Sequence, residues 1–144
     1  MRQGGRGNLF PLSPQIFHNG VDFGAPVGTP IFSAGDGRVL NVGNNGRYQY
    51  GKYVLVQHEN NLTTIYSHMS AYAQVNGRQI AVGDKVKTGD ILGYVGKTGY
   101  AFGAHLHFGV YWAPSVHLEN IPSCNCGLVP IGITISPLDY LPTF

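Results

Sequence analysis

The chain has 144 residues, enough for one ordinary domain to bury most of its core without help from disulfides. Its 9 lysines and arginines stand against 7 aspartates and glutamates and are scattered, so a formal charge of +2 excludes a large basic field and makes nucleic acid a poor partner. With 9 Tyr, 7 Phe and 1 Trp the chain is too rich in large apolar faces to be disordered, and no apolar run is long enough to cross a bilayer.

In chain order, residues 1–16 read as an irregular approach segment, with Gly4, Gly5 and Gly7 followed by Pro11 and Pro14, and residues 17–144 as the domain proper. The start MRQGGRGNLF lacks the basic segment and apolar core of a secretory signal. His18 and Asp22 follow in the sequence HNGVD, where the turn-prone Asn19-Gly20 pair argues against a regular helix. Imidazole and carboxylate are both good zinc ligands, but this spacing alone is weak: the alternatives are a turn histidine and an aspartate closing an Asx turn.

Strand signals come next at residues 31–33 and 37–42. Residues 53–58 and 62–66 are rich in β-branched and aromatic side chains, and Glu59-Asn60-Asn61 between them predicts a hairpin. Val86, Ile91, Leu92 and Val95 are further core candidates, separated by glycine turns. Residues 105–111 alternate, so His105 and His107 project to one face of a strand while Leu106 and Phe108 project to the other.

The stretch 112–135 is less regular and holds Cys124 and Cys126, read as free or locally paired structural thiols, with metal binding and intermolecular pairing as the alternatives; a disulfide between them would close a small strained ring. SPLDYLPTF closes the chain as a short strand or packed turn. No long amphipathic helix stands out. The pattern predicts an all-β fold: mostly antiparallel sheets in one compact domain with an open groove.

Three longer stretches carry a family resemblance: HNGVDFGAPVGTPIFSAGDGRVL, YGKYVLVQHENNLTTIYSHMS and VGDKVKTGDILGYVGKTGYAFGAHLHF. In this order they resemble the lysostaphin and LytM-like zinc metallopeptidases, which cleave peptide bonds in bacterial peptidoglycan. The resemblance implies that His18, Asp22 and His107 hold Zn2+ and that His68 and His105 are the catalytic histidines. It further implies a peptidoglycan peptide as substrate and a bacterial envelope or secreted setting.

Zinc held by two histidines and one carboxylate would keep a water-accessible position, which suits catalysis better than a closed structural site. The chain has no HExxH motif, and neither Glu59 nor Glu119 sits in a context that marks a general base, so proton transfer falls to histidine. His58, at a strand-to-turn transition, is read as a structural hydrogen-bonding group, and His117 as a surface or loop residue. Tyr66, Tyr100 and Tyr111 either line a groove or pack in the core. An active endopeptidase, an inactive zinc-bearing regulatory or wall-binding domain and another zinc hydrolase remain the candidate functions; the presence of both His68 and His105 favours the first.

Overall fold

A computed structural model describes residues 15–17, 20–47, 49–99, 103–120, 128–132 and 134–135, the backbone alone for 15–17, 20 and 134–135. His18, Tyr100, Cys124, Cys126 and the closing SPLDYLPTF lie outside the described residues. Those residues form fourteen strands and one short 3-10 turn, Ala113–Ser115, with no α-helix among them. The expected all-β, antiparallel architecture is therefore what forms.

The main sheet contains β1 (Gln15–Phe17), β2 (Gly20–Gly24), β3 (Pro30–Phe32), β4 (Gly37–Asn44), β5 (Lys52–Gln57) and β6 (Leu62–Tyr72). It also takes in β9 (Lys85–Val86), β10 (Ile91–Val95), β11 (His105–Trp112) and β14 (Thr134–Ile135). Between them, β7 (Gln74–Val75) and β8 (Arg78–Gln79) form a small hairpin, as do β12 (His117–Asn120) and β13 (Leu128–Ile131). The path across the main sheet is β1-β2-β11-β6-β5-β4-β9, with β10 joining β6 to β3 and β14 lying beside β11.

The β5–β6 hairpin arises where the alternating pattern placed it, with Val54 opposite Tyr66 and Val56 opposite Thr64. The stretch 112–135, expected to be irregular, instead contains the β12–β13 hairpin, paired from His117↔Ile131 to Asn120↔Leu128. Strand alternation divides the apolar residues between two cores. Val21, Phe23, Val54, Val56, Tyr66, Phe108 and Val110 join the larger one. The second lies on the other face, where Tyr50, Tyr53, Leu55, Ile65 and Tyr111 are covered by Val129 of β13 together with Val116 and Leu118. Tyr66 and Tyr111 are thus packed aromatics at 1% and 2% exposure rather than groove walls.

The long strand β6 changes partners at His68. Up to Ser67 it pairs with β11, and from Met69 onward it pairs with β10. Tyr66 and Met69 both lie in the larger core, although residues three apart in an unbroken strand face opposite ways. The offset is a bulge: Lys52 pairs with Met69 and Val54 with Tyr66, so Ser67 and His68 together oppose Tyr53. His68 itself has φ of 62°, a left-handed conformation that a histidine adopts only when its surroundings hold it there.

Candidate active site

The registers of three adjacent strands bring the site together. In β2, Val21 and Phe23 go into the core, which turns Asp22 to the opposite face. Asp22 is the direct cross-strand partner of His107 in β11, and on its other side His107 pairs with Ser67, next to the bulged His68. His105 shares the His107 face, as the alternation required. Sequence positions 22, 68, 105 and 107 thereby meet on one patch of the sheet.

Within the patch, His107 Nδ1 lies 2.6 Å from Asp22 Oδ1 and His105 Nε2 lies 3.4 Å from Asp22 Oδ2. The His68 ring stands 4.8 Å from that of His105 and 6.0 Å from that of His107, centre to centre. The side chains of His105 and Asp22 remain 13% and 20% exposed, so the patch is open to solvent.

Hydrogen bonds to carbonyls set the tautomers, because a carbonyl oxygen only accepts. His68 Nδ1–H donates to Thr98 O at 2.5 Å, and His105 Nδ1–H donates to Gly103 O at 2.8 Å. Each bond places a proton on Nδ1, and Nε2 of His105 faces Asp22 Oδ2. Burial pushes the His68 imidazole down to about 4, against an upward pull from the Thr98 bond, and the neighbouring His105 and His107 add to the lowering. His68 is therefore a neutral acceptor at neutral pH.

His107 Nδ1–H donates to the Asp22 carboxylate, while its Nε2 is buried without a hydrogen-bond partner. An imidazole and a carboxylate whose donor atoms already meet, beside an orphaned ring nitrogen, form a donor pair that suits a borderline cation such as zinc. Among the described residues, no group of three or more His, Cys, Asp and Glu side chains closes around a metal-sized point. The third expected ligand, His18, lies outside them.

The remaining histidines stand apart. Both ring nitrogens of His58 are engaged, Nδ1 with Asp36 O at 2.7 Å and Nε2 with Thr64 Oγ1 at 2.8 Å, the structural role its position suggested. His117 opens β12 on the surface, with Nε2 at 2.5 Å from Glu119. A cavity of about 810 Å3 lies elsewhere, bounded by Asp36, Arg38, His58, Lys87 and Phe108, and none of the clustered residues lines it.

One residue escaped the sequence reading. Tyr50 lies with its ring 5.8 Å from that of His107 at an interplanar angle of 32°, and its carbonyl accepts the His68 backbone N–H at 2.8 Å. Its tyrosine-glycine context carries no signal of that double contact.

Comparison with known proteins places the chain in a family. The family model of Peptidase family M23 matches residues 16–119, and the chain belongs to that family. Among curated relatives, the DD-carboxypeptidase/endopeptidase Mpg of Neisseria meningitidis is 38% identical over 91 residues, covering 63% of this chain and 19% of its own. The chain thus spans about a fifth of the length of that relative. The catalytic domain of the antimicrobial peptidase lysostaphin from Staphylococcus simulans superposes with a TM-score of 0.64 at 26% identity, covering 86% of this chain and 78% of that one. A zinc containing peptidase from Vibrio cholerae gives 0.59 at 31% identity, covering 78% of this chain and 29% of that one. The lysostaphin-like resemblance seen in the motifs therefore extends to the fold.

Proposed function

We propose that this domain is a zinc-dependent endopeptidase that hydrolyses peptide bonds in bacterial peptidoglycan stems or cross-bridges. The observation that carries the reading is the convergence of Asp22, His107, His105 and His68, with His105 and His68 beside a carboxylate–imidazole pair. Membership of a peptidase family and the names of the relatives supply the substrate class. In this reading residues 17–144 are the catalytic domain, preceded by an approach segment over 1–16, and the setting is the cell envelope or the space outside it.

His18, Asp22 and His107 would hold the ion. When bound, zinc supplies Lewis acidity, lowering the pKa of water and polarising a carbonyl oxygen. The chain's own histidines do the rest. His68 Nε2 and His105 Nε2 accept the proton that an attacking water must lose, and the imidazolium so formed is a charged donor toward the developing oxyanion and the leaving amine. The carbonyls of Thr98 and Gly103 hold both rings in the tautomer this task needs. The Asp22 carboxylate lies 3.4 Å from His105 Nε2, on the other side of that ring from the Gly103 bond.

The test is turnover of purified wall fragments by metal-stripped protein before and after zinc is restored. Cleavage should return with one equivalent of zinc, and product masses identify the bond. His105→Ala should retain zinc and lose about 10²–10⁴-fold in kcat, the range for a lost acid–base group. His107→Ala should lose both. Turnover indifferent to zinc, or to His107→Ala, would sink the reading.

A further inference from the structure

The residues behind the site are organised around Tyr50. The chain passes through it in a loop held by several bonds at once: Asn45 N–H donates to Gly51 O at 2.8 Å, and Gly99 N–H donates to Gly46 O at 3.1 Å. Gln49 and Gly51 on either side of Tyr50 have φ of 50° and 58°. Two flanking left-handed residues, one of them not glycine, persist only where neighbouring structure over-determines the path. The outcome is that one residue touches both halves of the site: its carbonyl holds the backbone of His68, and its ring lies along that of His107.

The support continues outward from Tyr50. Its hydroxyl is 3.1 Å from that of Tyr111, and its ring stands edge-on to that of Tyr53 at 6.3 Å. Its backbone N–H reaches Asn45 Oδ1. Tyr53 and Asn45 then converge on one atom. The Tyr53 hydroxyl donates to Leu128 O at 3.1 Å, and Asn45 Nδ2 donates to the same oxygen at 3.0 Å. Leu128 is the first residue of β13, and Val129 beside it fills the second core with Tyr50, Tyr53 and Tyr111. The family match ends at residue 119, inside β12, so the strand that supplies this anchor lies beyond it.

We infer that Tyr50 is a positioning residue for His68 and His107, and that the β12–β13 hairpin keeps it in place through the Leu128 carbonyl. The inference rests on the proposed metal site for its consequence in turnover, but its structural content concerns the metal-free protein as well. His107 can point its Nδ1 at Asp22 only while its ring plane is fixed, and no hydrogen bond at Nε2 does this. Packing against the Tyr50 ring is a restraint the structure supplies there, beside the Asp22 bond and the His68 ring at 6.0 Å.

Three substitutions separate the links. Tyr50→Leu keeps the backbone bonds and removes the aromatic face; Tyr50→Phe keeps the face and removes the hydroxyl; Tyr53→Phe combined with Asn45→Ala releases Leu128 O. The first readout is the imidazole nitrogen spectrum of the metal-free protein, from long-range proton–nitrogen correlation. The parent should show one His107 tautomer with the proton on Nδ1. Tyr50→Leu should mix or broaden that signal while His58, fixed at both nitrogens, keeps its own. Tyr50→Phe should stay close to the parent, and the double variant should shift His107 in the direction of Tyr50→Leu.

The second readout is cobalt(II) added to metal-free protein. Tyr50→Leu should bind it about 10–100-fold more weakly, with a changed visible spectrum, as expected when the support of a ligand is lost. With wall fragments, kcat should fall and KM stay near the parent value. A folded Tyr50→Leu protein with the parent's His107 signals and cobalt affinity overturns the inference. If that variant does not fold, the double variant decides by the same two measurements, and parental values there overturn it equally. A parent that binds no cobalt and cleaves nothing defeats the proposed function, while the nitrogen spectra still judge the positioning role.

Discussion

His105 and His107 were the most legible residues of the site, because two histidines separated by one residue in a strand must share a face. Asp22 was legible as a candidate but not as the partner of His107, since that contact depends on the β2–β11 register, which pairs residues 85 apart. His68 was legible only through the family resemblance and not through strand alternation. Plain alternation from Tyr66 would have sent it into the core, and only the bulge at residues 67–68 turns it toward His105. Gly51 shows how closely the backbone behind His68 is built. A Cβ there would lie 2.4 Å from Thr98 Oγ1 and 2.5 Å from Gly99 N, at φ of 58°. Gly51→Ala should therefore cost about 1–3 kcal/mol in denaturant unfolding. Because Thr98 O holds His68, it should also lower kcat; an unchanged midpoint and rate would show that the loop yields without cost.

Among the elements, the β5–β6 hairpin and the β11 strand followed from local pattern, whereas the β12–β13 hairpin did not. Its strands are four residues each, Pro130 within β13 argues against a strand there, and the alternation is too short to stand out. Its order comes from what it covers. Val129 is 2% exposed over Tyr50, Tyr53 and Tyr111, while Leu128 next to it is 52% exposed. Shortening the inward residue should loosen the hairpin as a unit. Val129→Ala is expected to destabilise the protein by about 0.5–3 kcal/mol, whereas Leu128→Ala, which keeps the Leu128 carbonyl, should change it by no more than about 0.5. Equal effects from the two, measured by urea unfolding, would mean that the hairpin is not anchored through the second core.

At the scale of the molecule, two apolar cores lie on the two faces of one sheet, and tyrosines are prominent in both. Burial raises the phenols of Tyr53, Tyr66 and Tyr111 above their ordinary value of 10.0, and pushes Tyr72 up to about 12, where its hydroxyl donates to Gly43 O. A raised folded value means that above pH 10 the unfolded chain releases protons the folded one retains. Stability is thus intact below that pH and falls as pH rises through it. Absorbance titration should show these four phenols ionising late and together with alkaline unfolding. Ionisation of all tyrosines near pH 10 with the fold intact would contradict this burial. The all-β class was visible in the sequence because glycine turns and β-branched runs leave few other options. The division into two cores was not, since it depends on which face each strand offers to its neighbours.

The strand order β2-β11-β6 gives the site a durability that its open surface does not suggest. Asp22, His105 with His107, and His68 occupy three successive strands in the interior of the sheet, and β11 is paired along both edges. Fraying begins at sheet margins and chain ends, and such openings leave these three strands joined. The backbone positions that carry the four side chains separate only if these strand pairings open. The placement of the four residues on the sheet therefore lasts as long as these pairings do.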